Sequence, residues 1–353
     1  MNIYVIATPD IQYRQHLFPL LKPFYKEGVL EDTERQQLYG ISEKEVNIVS
    51  QPSEAQVAIL PMSWNYYQKK GAIKKMQLLI SKIASKTLPV WSYMAGDFGV
   101  KIPSMENVVV FRNSGERNRL PKNHVGIPAF IEDPLKKHFP NTPYQPSGYT
   151  KDPRVGFCGQ SEVTPLSWVN EVGNITLRNI KSALQLWPGP IQSIRSHVGA
   201  RKKLLHTLEK DARVTANFIK RRKYRAGVTS QKDRHTTTLE FYQNIRDTQY
   251  TLCVRGAGNF SIRFYETLAM GRIPLFVNTH CLVPLQEDID WKKHVVWVEY
   301  NERHTLVDQL MAFHQAHGKD GLEKIQQQNR ELWKEYLTLG GFFKAFMRHA
   351  NKD

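Results

Sequence analysis

A chain of 353 residues is long enough for two ordinary domains, and 41% hydrophobic with 23% charged residues is the composition of a folded protein, not a disordered one. No run of eighteen uncharged apolar residues offers a membrane-spanning helix, and the unpaired spacing of Cys158, Cys253 and Cys281 argues against a disulfide framework or a zinc site. The formal charge of +16 is mostly local, with 13 Lys and Arg against 3 Asp and Glu between Arg195 and Arg234; such a run is either a solvated helix face or a surface that attracts a nucleotide diphosphate, an anionic glycan or lipid, an acidic membrane or nucleic acid.

In chain order, Ile3 to Ala7 reads as a first strand without a basic leader, which with the unpaired cysteines gives the expectation of a cytoplasmic protein, peripheral to a membrane through the basic 195–234 run. Gln15 to Tyr25 has helical spacing, Gln56 to Leu60 is strand-like, and Asn65 to Ser85 is helix-like with Ile73, Met76, Leu79, Ile80 and Ile83 on one face. Leu88 to Tyr93 and Asn107 to Phe111 are further strands, with the turn Ala95-Gly96-Asp97-Phe98-Gly99 between them. Alternating strands and helices imply a mostly parallel sheet covered on both faces. Prolines at 134, 140, 143, 146 and 153 mark residues 134–153 as a linker between a domain at 1–135 and a second at 154–335, followed by a last segment, 336–353. The second domain opens with the strand Arg154 to Gly159. Ser193 to His206 and the basic stretch to Arg225 read as helix and loop, and Thr238 to Arg246 as helix. Val295 to Val298 is a last strand, before helices at Leu306 to His317 and Leu322 to Tyr336.

The most informative stretch is Tyr250 to Trp291. Tyr250 to Val254 is a buried strand by length and residue type, Arg255-Gly256-Ala257-Gly258-Asn259 a glycine-rich turn, and Phe260 to Met270 a helix stopped by Gly271 before the strand Ile273 to Val277. Such a unit aims backbone N–H groups at a phosphate. Asn259, Arg263 and Glu266 fall at i, i+4 and i+7 and are read as one polar face, either a capped helix with an ion pair or a nucleotide site. The missing third glycine argues against a G-x-G-x-x-G dinucleotide fingerprint, and neither a Walker lysine nor a G-x-S-x-G elbow is present. Asp288-Ile289-Asp290 is a D-x-D string of the kind that binds a divalent metal in some enzymes, but it follows a proline loop and the metal reading is the weaker one; His314 and His317 read as a surface face more readily than as a metal pair.

The ordered set Leu252-Cys253-Val254-Arg255-Gly256-Ala257-Gly258, Ser261-Ile262-Arg263-Phe264-Tyr265-Glu266, Gly271-Arg272-Ile273-Pro274 and Ile289-Asp290-Trp291 resembles the signature of the exostosin-like glycosyltransferases, family 47, with Val254 where that family commonly has proline. The resemblance is strong over 238–300 and weak in the N-terminal half. It implies an α/β GT-B fold, two Rossmann-like domains facing a cleft, with a last helix crossing back to the first domain. It further implies inverting transfer from a nucleotide diphosphate sugar, UDP preferred, to a glycan or glycolipid hydroxyl, without a metal or other cofactor. On that reading Arg255 meets the diphosphate with Arg263 second, Gly256 and Gly258 open the backbone to it, and Asn259 joins the donor face. Ser261 caps the helix or touches a phosphate oxygen, and Glu266 takes the ribose. Asp97, in a turn after a strand of the first domain, is the candidate base; an Asx turn is its plain alternative. Trp64, Asn65 and Tyr67 are expected to line the acceptor side, or to pack at a helix start. A GDP-sugar transferase of fucosyltransferase type and a non-enzymatic polyanion-binding protein are the competing readings; nucleic acid is not an expected partner, since no nucleic-acid motif accompanies the basic run.

Overall fold

The computed structural model describes residues 1–25, 30–83, 88–162, 164–194, 196–228 and 230–350. Arg195, which opens the basic run, and Ser85, the expected end of a helix, lie outside the described residues.

The N-terminal unit contains β1 (Asn2–Val5), α1 (Asp32–Tyr39), β2 (Asn47–Val49), β3 (Val57–Ile59), α2 (Trp64–Lys69), α3 (Ile73–Ile83), β4 (Val90–Met94), β5 (Val108–Arg112) and β6 (His124–Gly126). Its six strands pair in parallel in the order β2-β1-β3-β4-β5-β6. A short helix α4 (Pro134–His138) begins the proline-rich passage, and Asp133 caps it by accepting from the Leu135 N–H at 3.1 Å. The second unit contains β7 (Arg154–Gln160), α5 (Pro165–Ala183), α6 (His197–Lys210), β8 (Thr215–Arg221), α7 (Gln231–Arg246), β9 (Tyr250–Cys253), α8 (Ile262–Ala269), β10 (Ile273–Asn278) and β11 (Val296–Glu299), then α9 (Leu306–Leu332) and α10 (Leu339–Ala350). Its five strands are also parallel, in the order β11-β10-β9-β7-β8. Two parallel α/β sheets meeting through the loops at their strand C-termini form the GT-B arrangement. No helix among the described residues is long and apolar enough to cross a membrane.

Several local readings differ from the structure for physical reasons. Gln15 to Tyr25 is two 3₁₀ turns, Ile11–His16 and Pro19–Leu21, because Pro19 and Pro23 deny a helix its backbone donors. One expected helix over 65–85 is two, α2 and α3, broken at Gly71, whose φ is 65°. The basic stretch read as helix and loop contains the edge strand β8, whose half-exposed Thr-Ala-Asn-Phe-Ile-Lys-Arg carries little apolar alternation and whose lysine suits an edge. The two last helices run on as α9, interrupted at Gly318 (φ 58°) and closed by a π-helical turn at Trp333–Leu337.

The last helix carries its aromatic face to the first sheet. Phe342 and Phe343 of α10 are fully buried; Phe343 stacks on Trp91 at 6.0 Å and lies 5.8 Å from Phe18, while Phe346 meets Phe111 at 4.9 Å. Phe264, Tyr265 and Leu268 of α8 join the same core, so one hydrophobic body spans both units. A Cβ on Gly126 would lie 2.5 Å from the Leu282 carbonyl, which shows how closely the end of β6 approaches the second unit.

Candidate active site

In a doubly wound sheet the ligand crevice lies beyond the strand C-termini where chain direction across the sheet reverses. Here β7 leads through α5 and α6 to β8 on one side, and α7 returns the chain to β9 on the other, so the switch point lies between β7 and β9. Two arginines converge there over the Phe157 ring, Arg263 at 4.4 Å and Arg201 at 5.8 Å. Arg263 donates to the Cys158 carbonyl at 2.9 Å, and Arg201 to the Gln160 and Arg255 carbonyls at 2.6 and 3.2 Å. The Nε of each is shut from solvent with no hydrogen-bond partner, and neither forms an ion pair with a described carboxylate. Burial, with Arg263's charge beside it, pulls Arg201 down to about 10, and burial pulls Arg263 down as well. Arg201 is buried and Arg263 half-buried, and although Glu171 and Glu266 act on them through space, like charges held this close are costly, several kcal/mol per ion as an order of magnitude, a cost that a bound anion would offset.

Sequence reasoning missed Arg201, yet it left a signal. Arg201 shares the inner face of α6 with Leu204, Leu205 and Leu208, all buried, and an arginine on an apolar stripe needs a reason. Beside the crevice, Gln160 and Ser161 form the inner end of a cavity of about 1580 Å³ that continues along α6 to Tyr300 and Arg303. The Ser161 hydroxyl, 2% exposed, has no partner among the described residues.

The glycine loop is gripped by the first unit. A Cβ on Gly258 would lie 2.7 Å from Asp97 Oδ1 and 2.9 Å from Ser114 Oγ, so only glycine lets the Asp97 turn this close. Ser114 Oγ donates to the Asp97 carbonyl at 2.7 Å and accepts from the Asn259 N–H at 2.7 Å. Asp97 itself is exposed; partial burial raises its carboxyl pKa, and the nearby charges of His197 and Arg255 pull it back. Phe98, next in the turn, is held between Trp187 at 6.2 Å and the Arg178 guanidinium at 4.7 Å. His197 also went unread in the sequence. It opens α6, and Glu171 of α5 accepts from its backbone N–H at 2.9 Å, pairs with its ring, and accepts from Ser196 Oγ at 2.7 Å. Burial pushes Glu171 up, but those hydrogen bonds outweigh it and hold the carboxyl below its ordinary range.

Arg255 turns back on its own loop, donating to the Ala257 carbonyl at 3.2 Å, and reaches across the boundary to Glu116 at 3.9 Å. Gly256 is open on its Cβ side. Asn259 is not on the polar face with Arg263 and Glu266: the helix starts at Ile262, and Asn259 is 3% exposed. Its amide nitrogen donates to Gly115, Thr279 and His280 carbonyls, and its oxygen accepts from Thr279 at 2.5 Å. It ties the two units together and has nothing left for a donor. Ser261 holds the N-cap position of α8 without a side-chain cap bond. Glu266 accepts from the Tyr242 hydroxyl at 3.2 Å, and Tyr242 stacks on His138 of the linker helix at 4.7 Å.

The expected acceptor trio is corrected. Trp64 and Tyr67 are 0% and 5% exposed, because α2 begins at Trp64 and the i, i+3 pair faces the sheet. Asn65 accepts from the Ala95 N–H at 2.9 Å and so positions the Asp97 turn. In the D-x-D string, Asp290 pairs with Lys293 at 3.3 Å while Trp291 donates to the Pro284 carbonyl and packs 5.2 Å from Phe264, so this turn supports α8. His314 is fully buried between the Tyr250 hydroxyl and the Thr150 carbonyl, 2.9 Å from each, and is not a surface residue. Among the described residues no three His, Cys, Asp or Glu side chains gather as a metal would require.

Residues 182–313 match the family model described as the Exostosin GT47 domain. Over 107 residues the chain is 26% identical to Exostosin-1 of Drosophila melanogaster, a match covering 30% of this chain and 14% of that protein. The chain therefore spans a small part of that relative. Among solved structures, a mutant of S. aureus TarM in complex with Fondaparinux, alpha-GlcNAc-glycerol and UDP is 10% identical, covering 83% of this chain and 54% of that one, with a TM-score of 0.35. The spinosyn rhamnosyltransferase SpnG complexed with thymidine diphosphate is also 10% identical, covering 98% of this chain and 100% of that one, with a TM-score of 0.34. Likenesses this low say nothing of donor or acceptor. The segment 182–313, which holds α6, the glycine loop and α8, is thus similar to the Exostosin GT47 domain.

Proposed function

We propose that the protein is an inverting glycosyltransferase that moves a sugar from a nucleotide diphosphate donor, UDP preferred, to a glycan or glycolipid hydroxyl. The observation that carries this is the convergence of Arg201 and Arg263 over the Phe157 ring at the switch point, neither in an ion pair with a described carboxylate. A diphosphate supplies the missing negative charge, and charge-assisted hydrogen bonds from guanidinium groups stabilise it as it leaves, with no metal or other cofactor required. Glu266, one helical turn on from Arg263 in α8, accepts from the ribose hydroxyls on this reading. The acceptor oxygen bonds to the anomeric carbon as the bond to the diphosphate oxygen breaks, and the hydroxyl proton passes to Asp97.

Two outcomes are expected. Glu266→Ala should weaken UDP binding by about 2–4 kcal/mol, from lost charge-assisted hydrogen bonds, while the protein stays folded; wild-type affinity by calorimetry would remove the ribose role. Asp97→Asn should keep UDP affinity and lose about 10²–10⁴ in transfer or slow hydrolysis of the donor. Because burial raises the Asp97 pKa and a base must be ionised, the acid limb of the wild-type rate profile should lie above the ordinary carboxylate value and vanish in the variant. Thermal protection by UDP but not by GDP separates the proposed donor from the fucosyltransferase-like alternative.

A further inference from the structure

Among the described residues, nine of the fifteen exposed large hydrophobic side chains fall between Leu166 and Ile194. Five of them make a stripe. Leu166, Val169, Leu177, Ile180 and Leu184 are each at least half exposed, and with Gly173 they recur at helical spacing along and just past α5. This helix of 19 residues is about 28 Å long at 1.5 Å per residue. Apart from Ser182, none of its described residues is buried. A soluble helix normally turns such a stripe to the core; this one turns it outward.

The polar borders of the stripe say what covers it. Glu171, the one acidic residue of α5, is turned inward to Ser196 and His197. On the neighbouring α6, Lys202 and Lys203 are exposed and pair with no described carboxylate, and Lys181 and Lys223 are exposed as well. Trp168 of α5 sits at the seam, its ring 3.3 Å from where a Gly199 Cβ would stand. An apolar stripe with a tryptophan, bordered by lysines and free of outward acids, matches a helix lying in the headgroup region of a bilayer.

We propose that α5 docks the protein on a membrane surface containing anionic lipid, with the apolar stripe inserted and the lysines of α6 on the lipid headgroups. The inner side of the same helix holds the Asp97 turn, since Arg178 covers Phe98 and Lys101 Nζ donates to the Ser182 carbonyl at 2.8 Å. Docking therefore sets the cleft at headgroup level, which suits a lipid-linked acceptor; that last step alone rests on the glycosyltransferase reading.

The test is co-sedimentation of the full chain with phosphatidylcholine vesicles, with and without about one-third phosphatidylglycerol, beside UDP calorimetry on the same samples. Binding should require phosphatidylglycerol, weaken with salt, fall at least tenfold in Leu177→Glu/Ile180→Glu, and fall several-fold in Lys202→Ala/Lys203→Ala. All four side chains are exposed, and UDP affinity should not change in Leu177→Glu/Ile180→Glu. No binding by monodisperse wild type would overturn the proposal, as would binding indifferent to the two glutamates. So would a wild-type dimer, dissolved by those glutamates, that ignores vesicles, since the stripe would then be a contact between two copies. Loss of UDP binding in wild type would count against the transferase reading and leave the vesicle result standing.

Discussion

Replacing Arg263 with methionine is expected to weaken UDP binding by about 2–4 kcal/mol while leaving the free protein within about 1 kcal/mol of wild-type stability. The two halves of this expectation have one cause. In the free protein the guanidinium is enclosed, its Nε lacks a partner, and it shares the crevice with Arg201. Its one side-chain hydrogen bond among the described residues, to the Cys158 carbonyl, offsets only part of the desolvation cost. Methionine keeps the contact with Phe157 and removes the charge. The donor's diphosphate would lose a hydrogen-bonded cation in a site of low dielectric, where such bonds are strong. Urea unfolding and calorimetry on one preparation check both halves. A variant that binds UDP normally, or one that loses more than about 3 kcal/mol of stability, would make Arg263 a structural residue.

Arg330→Ala should have the larger effect on stability, about 3–5 kcal/mol. Arg330 lies at the end of α9, 4% exposed, and unlike Arg263 it has its counter-ion: Asp133 stands 2.5 Å away. It also donates to the Ala269 carbonyl at the end of α8 and lies over the Trp333 ring at 5.1 Å. One side chain thus joins the linker, the helix of the glycine loop and the helix that leads to α10. Alanine leaves the half-buried Asp133 carboxylate without its cation and α8 without a cap on its last turn. The double variant Arg330→Ala/Asp133→Asn keeps the α4 cap and removes both charges, so it should lose less than the single change. Chemical denaturation of the three proteins measures this; equal losses in the single and double variants would mean that packing, not charge, holds the joint.

The contrast between these two arginines marks what local sequence could express. The unit β9–glycine loop–α8–β10 is legible almost to the residue, because strand length, glycine turns and helical spacing are properties of neighbours in the chain. The parallel, two-unit architecture follows from the same alternation, with the proline cluster between the units. What a side chain faces is a different matter. Asn259 has the residue type and spacing of a ligand, yet the approach of Gly115 and Thr279 takes every polar atom it has. Trp64 and Tyr67 have the chemistry for sugar contact, but the start of α2 turns them inward. β8 was hidden because an edge strand with one wet face need not look apolar. By itself, then, the sequence determined the alternation of strand and helix and the glycine loop, since those depend on residues a few positions apart, while α5 and β8 went unread. Only the tertiary structure decided that Arg201 meets Arg263 from the other side of the switch point, that Asp97 rests on Gly258, and that the apolar face of α5 points outward, because each depends on which distant surface a helix or turn is packed against.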